Sequence, residues 1–150
     1  METKGKLVAG KPLRKRRARP EDALQIQVVD FLRLAVKRPD RFWFCPNGGN
    51  LSTAQAGTFK RMGLTPGVHD LHFAWATGSQ RQFPCFGTIE LKAGKNTLTP
   101  QQEEFGADML KLGHTWAEAR SLEQVIATLK AWDFPLQAKL LPSGVIERVR

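Results

Sequence analysis

The sequence predicts an α/β fold, a sheet covered by helices, and three observations carry the prediction. Apolar residues recur at helical spacing between Leu24 and Ala35. Two segments, 68–76 and 83–92, alternate well enough to pair as antiparallel strands. A capped helix over 100–112 is then followed by one more strand and one more helix. The order is helix, strand, helix, strand, strand, helix, strand, helix.

Pro20 suits the first position of a helix. Leu24, Val28, Phe31, Leu32 and Ala35 then form the apolar stripe of that helix, and Pro39 stops it. "RFWFC", 41–45, reads as a short strand and "PNGGN" after it as a turn. Ser52 with Gln55 forms a capping signature that opens a short helix to about Met62, and Gly63 ends it. "VHDLHFAWA" is the next strand, and "TGSQRQ" turns it back into "FPCFGTIELK". Thr99 as cap, Pro100 and Gln102 open the helix that Gly113 breaks. "HTWAEA" makes the last core strand, and Ser121 with Gln124 caps a final helix through about Trp132. The tail "DFPLQAKLLPSGVIERVR" has no clear period and reads as an appendage or a partner contact.

A chain of 150 residues suits one domain with a real core. No apolar run approaches the roughly eighteen residues of a membrane span, and the N-terminus is too polar for a signal peptide. The expected location is therefore cytoplasmic, in a bacterial or phage-infected cell, or nuclear in a eukaryote. Cys45 and Cys85 are far apart, which argues against a disulfide framework or a zinc site. His69 and His72 have helical spacing but fall in an expected strand.

Charge is concentrated at one end. Residues 1–19 hold eight Lys/Arg against Glu2, a net +7, which leaves +2 for the other 131 residues. Such an arm, with Arg14, Lys15, Arg16 and Arg17 at its centre, suits contact with nucleic acid phosphates. The division is thus a basic arm over 1–19, a body over 20–132 and an extension over 133–150.

Within the body, "GTIELKAGK" puts Glu90 and Lys92 on one face of a strand, roughly 6.6 Å apart along it, with Ile89 and Leu91 on the other. Alone, that triplet fits a solvated edge as well as a site. Asp70 changes the balance, because Asp is disfavoured in strands and costly to bury unpaired. If the two strands pair, its carboxylate approaches Glu90, and two carboxylates about 4 Å apart repel by roughly 4 kcal/mol at an effective dielectric near 20. A hard divalent cation such as Mg²⁺ relieves that repulsion with only one or two protein carboxylates. Gln102, in the first turn of the following helix, can reach back to the strand ends or simply complete its capping box. Glu21 has a metal or water-mediated role open to it, or merely a favourable place at a helix N-terminus, with Gln25 one turn later.

"GLTPGVHDLHF", "TIELKAGKNTLTPQQEEF" and "LGHTWAEARSLEQVIATL", in that order, resemble the virus-type replication-repair nuclease (VRR-NUC) domain of the PD-(D/E)xK nuclease superfamily, over roughly residues 20–132. The resemblance implies a restriction-endonuclease-like three-layer sandwich, with a mixed sheet in an αβββαβ core and the 53–62 helix as an insertion. It implies a DNA endonuclease dependent on Mg²⁺, with Mn²⁺ substituting, that leaves 5′-phosphate and 3′-hydroxyl ends. Carried over by residue, Asp70 and Glu90 bind the metal, joined by the Leu91 backbone carbonyl. Lys92 is the catalytic lysine, Gln102 the motif glutamine and Glu21 the helix-one glutamate. Standalone members resemble Holliday-junction resolvases, so branched DNA and a two-fold homodimer are expected, with the arm, Lys60, Arg61 and Lys95 tracking phosphates. The alternatives are a restriction-like duplex nuclease and a non-catalytic DNA-binding protein on a nuclease fold. His69 stands where many members have proline, and it is expected to face away from Asp70.

Overall fold

The structure, a computed structural model, describes residues 19–36, 42–44, 52–78, 82–140 and 146–148. The arm residues Arg14, Lys15, Arg16 and Arg17 lie outside these, as do the expected turns at 46–50 and 79–81.

Helix α1 (Pro20–Ala35) starts as predicted, with Pro20 at its first position and Asp22 accepting a hydrogen bond from the Arg19 N–H. Strand β1 (Phe42–Phe44) and helix α2 (Thr53–Arg61) follow. Strands β2 (Leu71–Thr77) and β3 (Phe83–Leu91) form the central hairpin. Helix α3 (Pro100–Lys111) crosses to β4 (Thr115–Ala119), and α4 (Leu122–Ala131) comes next. The four strands lie in the order β1-β2-β3-β4. The first two pairings are antiparallel and β3 with β4 is parallel, because a helical crossover returns the chain to the same end of the sheet. The fold is therefore mixed α/β, as the sequence predicts.

Register assigns the two faces. Leu71 sits opposite Ile89, which pairs in turn with Ala117, and Leu91 pairs with Ala119. On that face Val28, Phe31, Leu32 and Ala35 of α1 and Leu122, Val125, Ile126 and Leu129 of α4 pack against the sheet as one cluster. Each fully buried side chain of this size contributes about 1.5–3 kcal/mol. The opposite face is covered by α3, and Gly106 lets that helix come so close to β4 that an added Cβ would collide with the Trp116 ring.

One boundary differs from the expectation. Strand β2 begins at Leu71, so Asp70 lies just before the strand, where the bend frees its carboxylate to reach a backbone amide. Residues that follow 132 pack against the body. Phe134 and Ala138 are buried, Trp132 stacks on Trp75 at 5.9 Å, and the Gln137 N–H donates to the Ala35 carbonyl at 2.8 Å. The tail also forms an antiparallel pair, β5 (Ala138–Leu140) with β6 (Ile146–Arg148). Strands of three residues offer too few alternations for a period to be read from sequence. Among the described residues no helix is long and apolar enough to cross a membrane.

Candidate active site

The C-terminal half of β3 is buried on both faces. Ile89 and Leu91 enter the apolar cluster, while Glu90 and Lys92, at 2% and 6% exposure, are almost as dry on the α3 side. A solvated edge is thereby excluded. The Lys92 Nζ donates to Glu90 Oε1 at 2.9 Å. Two ions removed from water recover their desolvation cost only when such geometry and further hydrogen bonds are supplied.

Some of those bonds come from neighbouring elements. The β2–β3 register, continued by one residue, sets Asp70 opposite Glu90. Asp70 Oδ2 accepts from the Leu91 N–H at 2.9 Å, so Leu91 enters the site through its amide. Burial, and next the Asp70 charge, push the Glu90 carboxyl up to about 7, against the pull of Lys92. The other Glu90 oxygen, Oε2, is buried and makes no hydrogen bond.

Gln102 does both things its sequence position allows. Its Oε1 accepts from the Thr99 N–H at 2.9 Å and completes the capping box of α3. Its Nε2 donates to Glu90 Oε1. The Thr99 amide can only donate, which fixes the oxygen of the side chain at the cap and turns the nitrogen toward Glu90.

Glu21 is brought to the loop after β3, where its Oε1 accepts from Asn96 Nδ2 at 2.9 Å. Arg120 holds the same loop, donating to the carbonyls of Gly94 (3.0 Å) and Asn96 (2.8 Å) while it pairs with Glu118. Lys95, between those carbonyls, is exposed. Lys60 and Arg61 lie at the exposed end of α2.

Sequence reasoning missed the part played by His69. Its ring is fully buried, with Nδ1 2.8 Å from Thr88 Oγ1 and Nε2 3.0 Å from the main-chain carbonyl oxygen of Gln102. Burial, foremost, holds His69 below its ordinary pKa. The available signal was a histidine at the mouth of a strand, one residue before the candidate aspartate Asp70. Arg120 and Asn96 had no signal in the sequence at all.

The donor set fits a hard cation. The Asp70 charge acts on the Glu90 carboxyl from the adjacent chain segment, and one Glu90 oxygen is buried without a hydrogen bond. Among the described residues, no group of three or more His, Cys, Asp or Glu side chains is placed to hold a metal ion.

No family model matches the chain, and no curated protein matches it. A solved structure described as a VRR_NUC domain protein does, with 24% sequence identity and a TM-score of 0.56, over 78% of this chain and 90% of that one. The two share a fold.

Proposed function

We propose that the chain is a metal-dependent phosphodiesterase that cleaves DNA. Glu90 carries the reading. A buried carboxylate is clasped by Lys92 and Gln102 through one oxygen, faces Asp70, and keeps its second oxygen without a hydrogen bond. Such a group lowers stability unless something absent from the folded chain completes it. The likeness in fold to a VRR_NUC domain protein supports the same reading.

Asp70 and Glu90, with the Leu91 carbonyl, would hold Mg²⁺ or Mn²⁺, which when bound supplies Lewis acidity and neutralises the paired acids. Lys92, anchored by Glu90, presents the ammonium that orients the attacking water and stabilises charge developing on the phosphate. Gln102 fixes the rotamer of Glu90 from the end of α3. In the metal-free protein the Glu90 carboxyl, raised to about 7, has to release its proton to take the cation, so cation binding is expected to tighten as pH rises through that range. The products are 5′-phosphate and 3′-hydroxyl ends. The exposed Lys95, with Lys60, Arg61 and the basic arm, contacts backbone phosphates without reading bases.

The preferred substrate is branched DNA such as a four-way junction. One site per chain makes two cuts only as a two-fold dimer. The test compares single strands, duplex, flap and four-way junction at matched salt, with Mg²⁺ or Mn²⁺, for the wild type, Asp70→Ala and Lys92→Ala. Each variant is expected to lose about 10³-fold in rate while remaining folded. Salt-sensitive DNA binding with no cleavage in either metal would transfer the chain to the binding proteins. Equal rates on duplex and junction would remove the junction preference and leave a duplex nuclease.

A further inference from the structure

We infer that His69 is a positioning residue for this site: its ring spans the Thr88 hydroxyl and the main-chain carbonyl of Gln102 and thereby sets the helix turn whose glutamine side chain clasps Glu90. A carbonyl oxygen only accepts, so Nε2 carries the ring proton and Nδ1 accepts from the Thr88 hydroxyl. Both nitrogens are occupied. The ring has neither a proton nor a lone pair to offer a substrate, which separates this role from acid–base chemistry.

The ring is also walled in. Phe105 meets it edge-on with centroids at 4.8 Å, and Trp116 lies at 5.1 Å. Phe105 and Gln102 both belong to α3, and Trp116 rides on β4 against Gly106 of the same helix. Thr88 stands two residues before Glu90 on the same face of β3. A second contact runs alongside: Gly67, at φ +82°, backs onto Gln101 so closely that any Cβ there would collide with the Gln101 carbonyl. The 67–70 segment thus touches the first turn of α3 twice, then delivers Asp70 to the Leu91 amide. One side chain joins the segment carrying Asp70, the strand carrying Glu90 and the helix carrying Gln102. An apolar or cyclic residue at position 69 makes neither bond.

Only the kinetic half of the test rests on the phosphodiesterase reading. His69→Phe keeps the ring packing and removes both hydrogen bonds, and His69→Gln restores an amide donor. Thr88→Val removes one bond with little change of shape. In the metal-free protein, the Gln102 side-chain amide is followed by ¹⁵N NMR. It is expected to be shifted and slow to exchange in the wild type and His69→Gln, and to move toward free glutamine in His69→Phe and Thr88→Val. In cleavage assays His69→Phe is expected to lower kcat about tenfold, with KM within about twofold. In a Gln102→Ala background the same change is expected to cost less than about twofold, because the effect passes through Gln102. A tenfold loss that persists undiminished in that background would overturn the inference, as would a Gln102 amide unmoved in Thr88→Val. A wild type that folds but cuts nothing defeats the nuclease reading alone, and the amide signal still decides the role of His69.

Discussion

Toward α1 and α4, strand β3 presents Ile89 and Leu91; toward α3 it presents Thr88, Glu90 and Lys92. Both faces exclude water to nearly the same degree. On the first, every contact is apolar and each adds to stability. On the second, the same strand buries a carboxyl, an ammonium, a hydroxyl and an imidazole, tied by directional bonds and short of one partner. Burial alone therefore does not identify a core. The informative face is the one where burial works against folding, and in this chain that face is the proposed site.

The largest break of this comparison removes mass from the apolar side. Phe31→Ala is expected to cost about 3–5 kcal/mol in a denaturant melt, since the ring is fully buried in α1. Its cleavage rate per folded molecule should stay within about twofold of wild type, because the Glu90 and Lys92 side chains lie on the other face of the strand from that cluster. A large rate loss there would mean the two faces are not independent.

Glu90→Gln sharpens the comparison from the polar side. The folded-state pKa, about 7 against an ordinary 4.5, lies above the unfolded value, so the folded state holds the proton over that interval. Stability from this group is full below about pH 4.5 and falls as pH climbs to about 7, a loss on the order of 3 kcal/mol. His69, held below 6.5, works in the opposite direction and loses stability on acidification. The difference between wild type and Glu90→Gln isolates the carboxyl. In thermal melts without metal, the variant should gain on the wild type from pH 5 to pH 8. Mg²⁺ or Mn²⁺ should stabilise only the wild type, and more at pH 8. Parallel pH profiles for the two proteins would contradict a strained Glu90.

The smallest effect belongs to the exposed rim. Lys95→Ala should leave melting unchanged and reduce the salt slope of DNA binding by roughly one. An unaltered slope would place the phosphate track elsewhere.

Much of this was legible in the chain. The α1 stripe, the capping boxes at Ser52 and Thr99, and the shared face of Glu90 and Lys92 are local patterns, and local patterns survive folding. Reading Gln102 as either cap or site ligand left open what the structure joins, because an amide has two chemically distinct ends. The bond from His69 spans 33 residues and that from Glu21 spans 75, and no periodicity encodes a contact between segments so far apart. The tail was opaque for a different reason: Phe134 and Ala138 fill space that only the assembled α1 and α4 define.

The double duty of Gln102 has an evolutionary consequence. Glutamate and glutamine are interchangeable at the third position of an ordinary capped helix. Here glutamate would preserve the start of α3 and set a second anion against Glu90. A change that leaves helix propensity untouched would therefore still cost stability, through the repulsion of two buried carboxylates, so the cap alone does not decide which side chain position 102 tolerates.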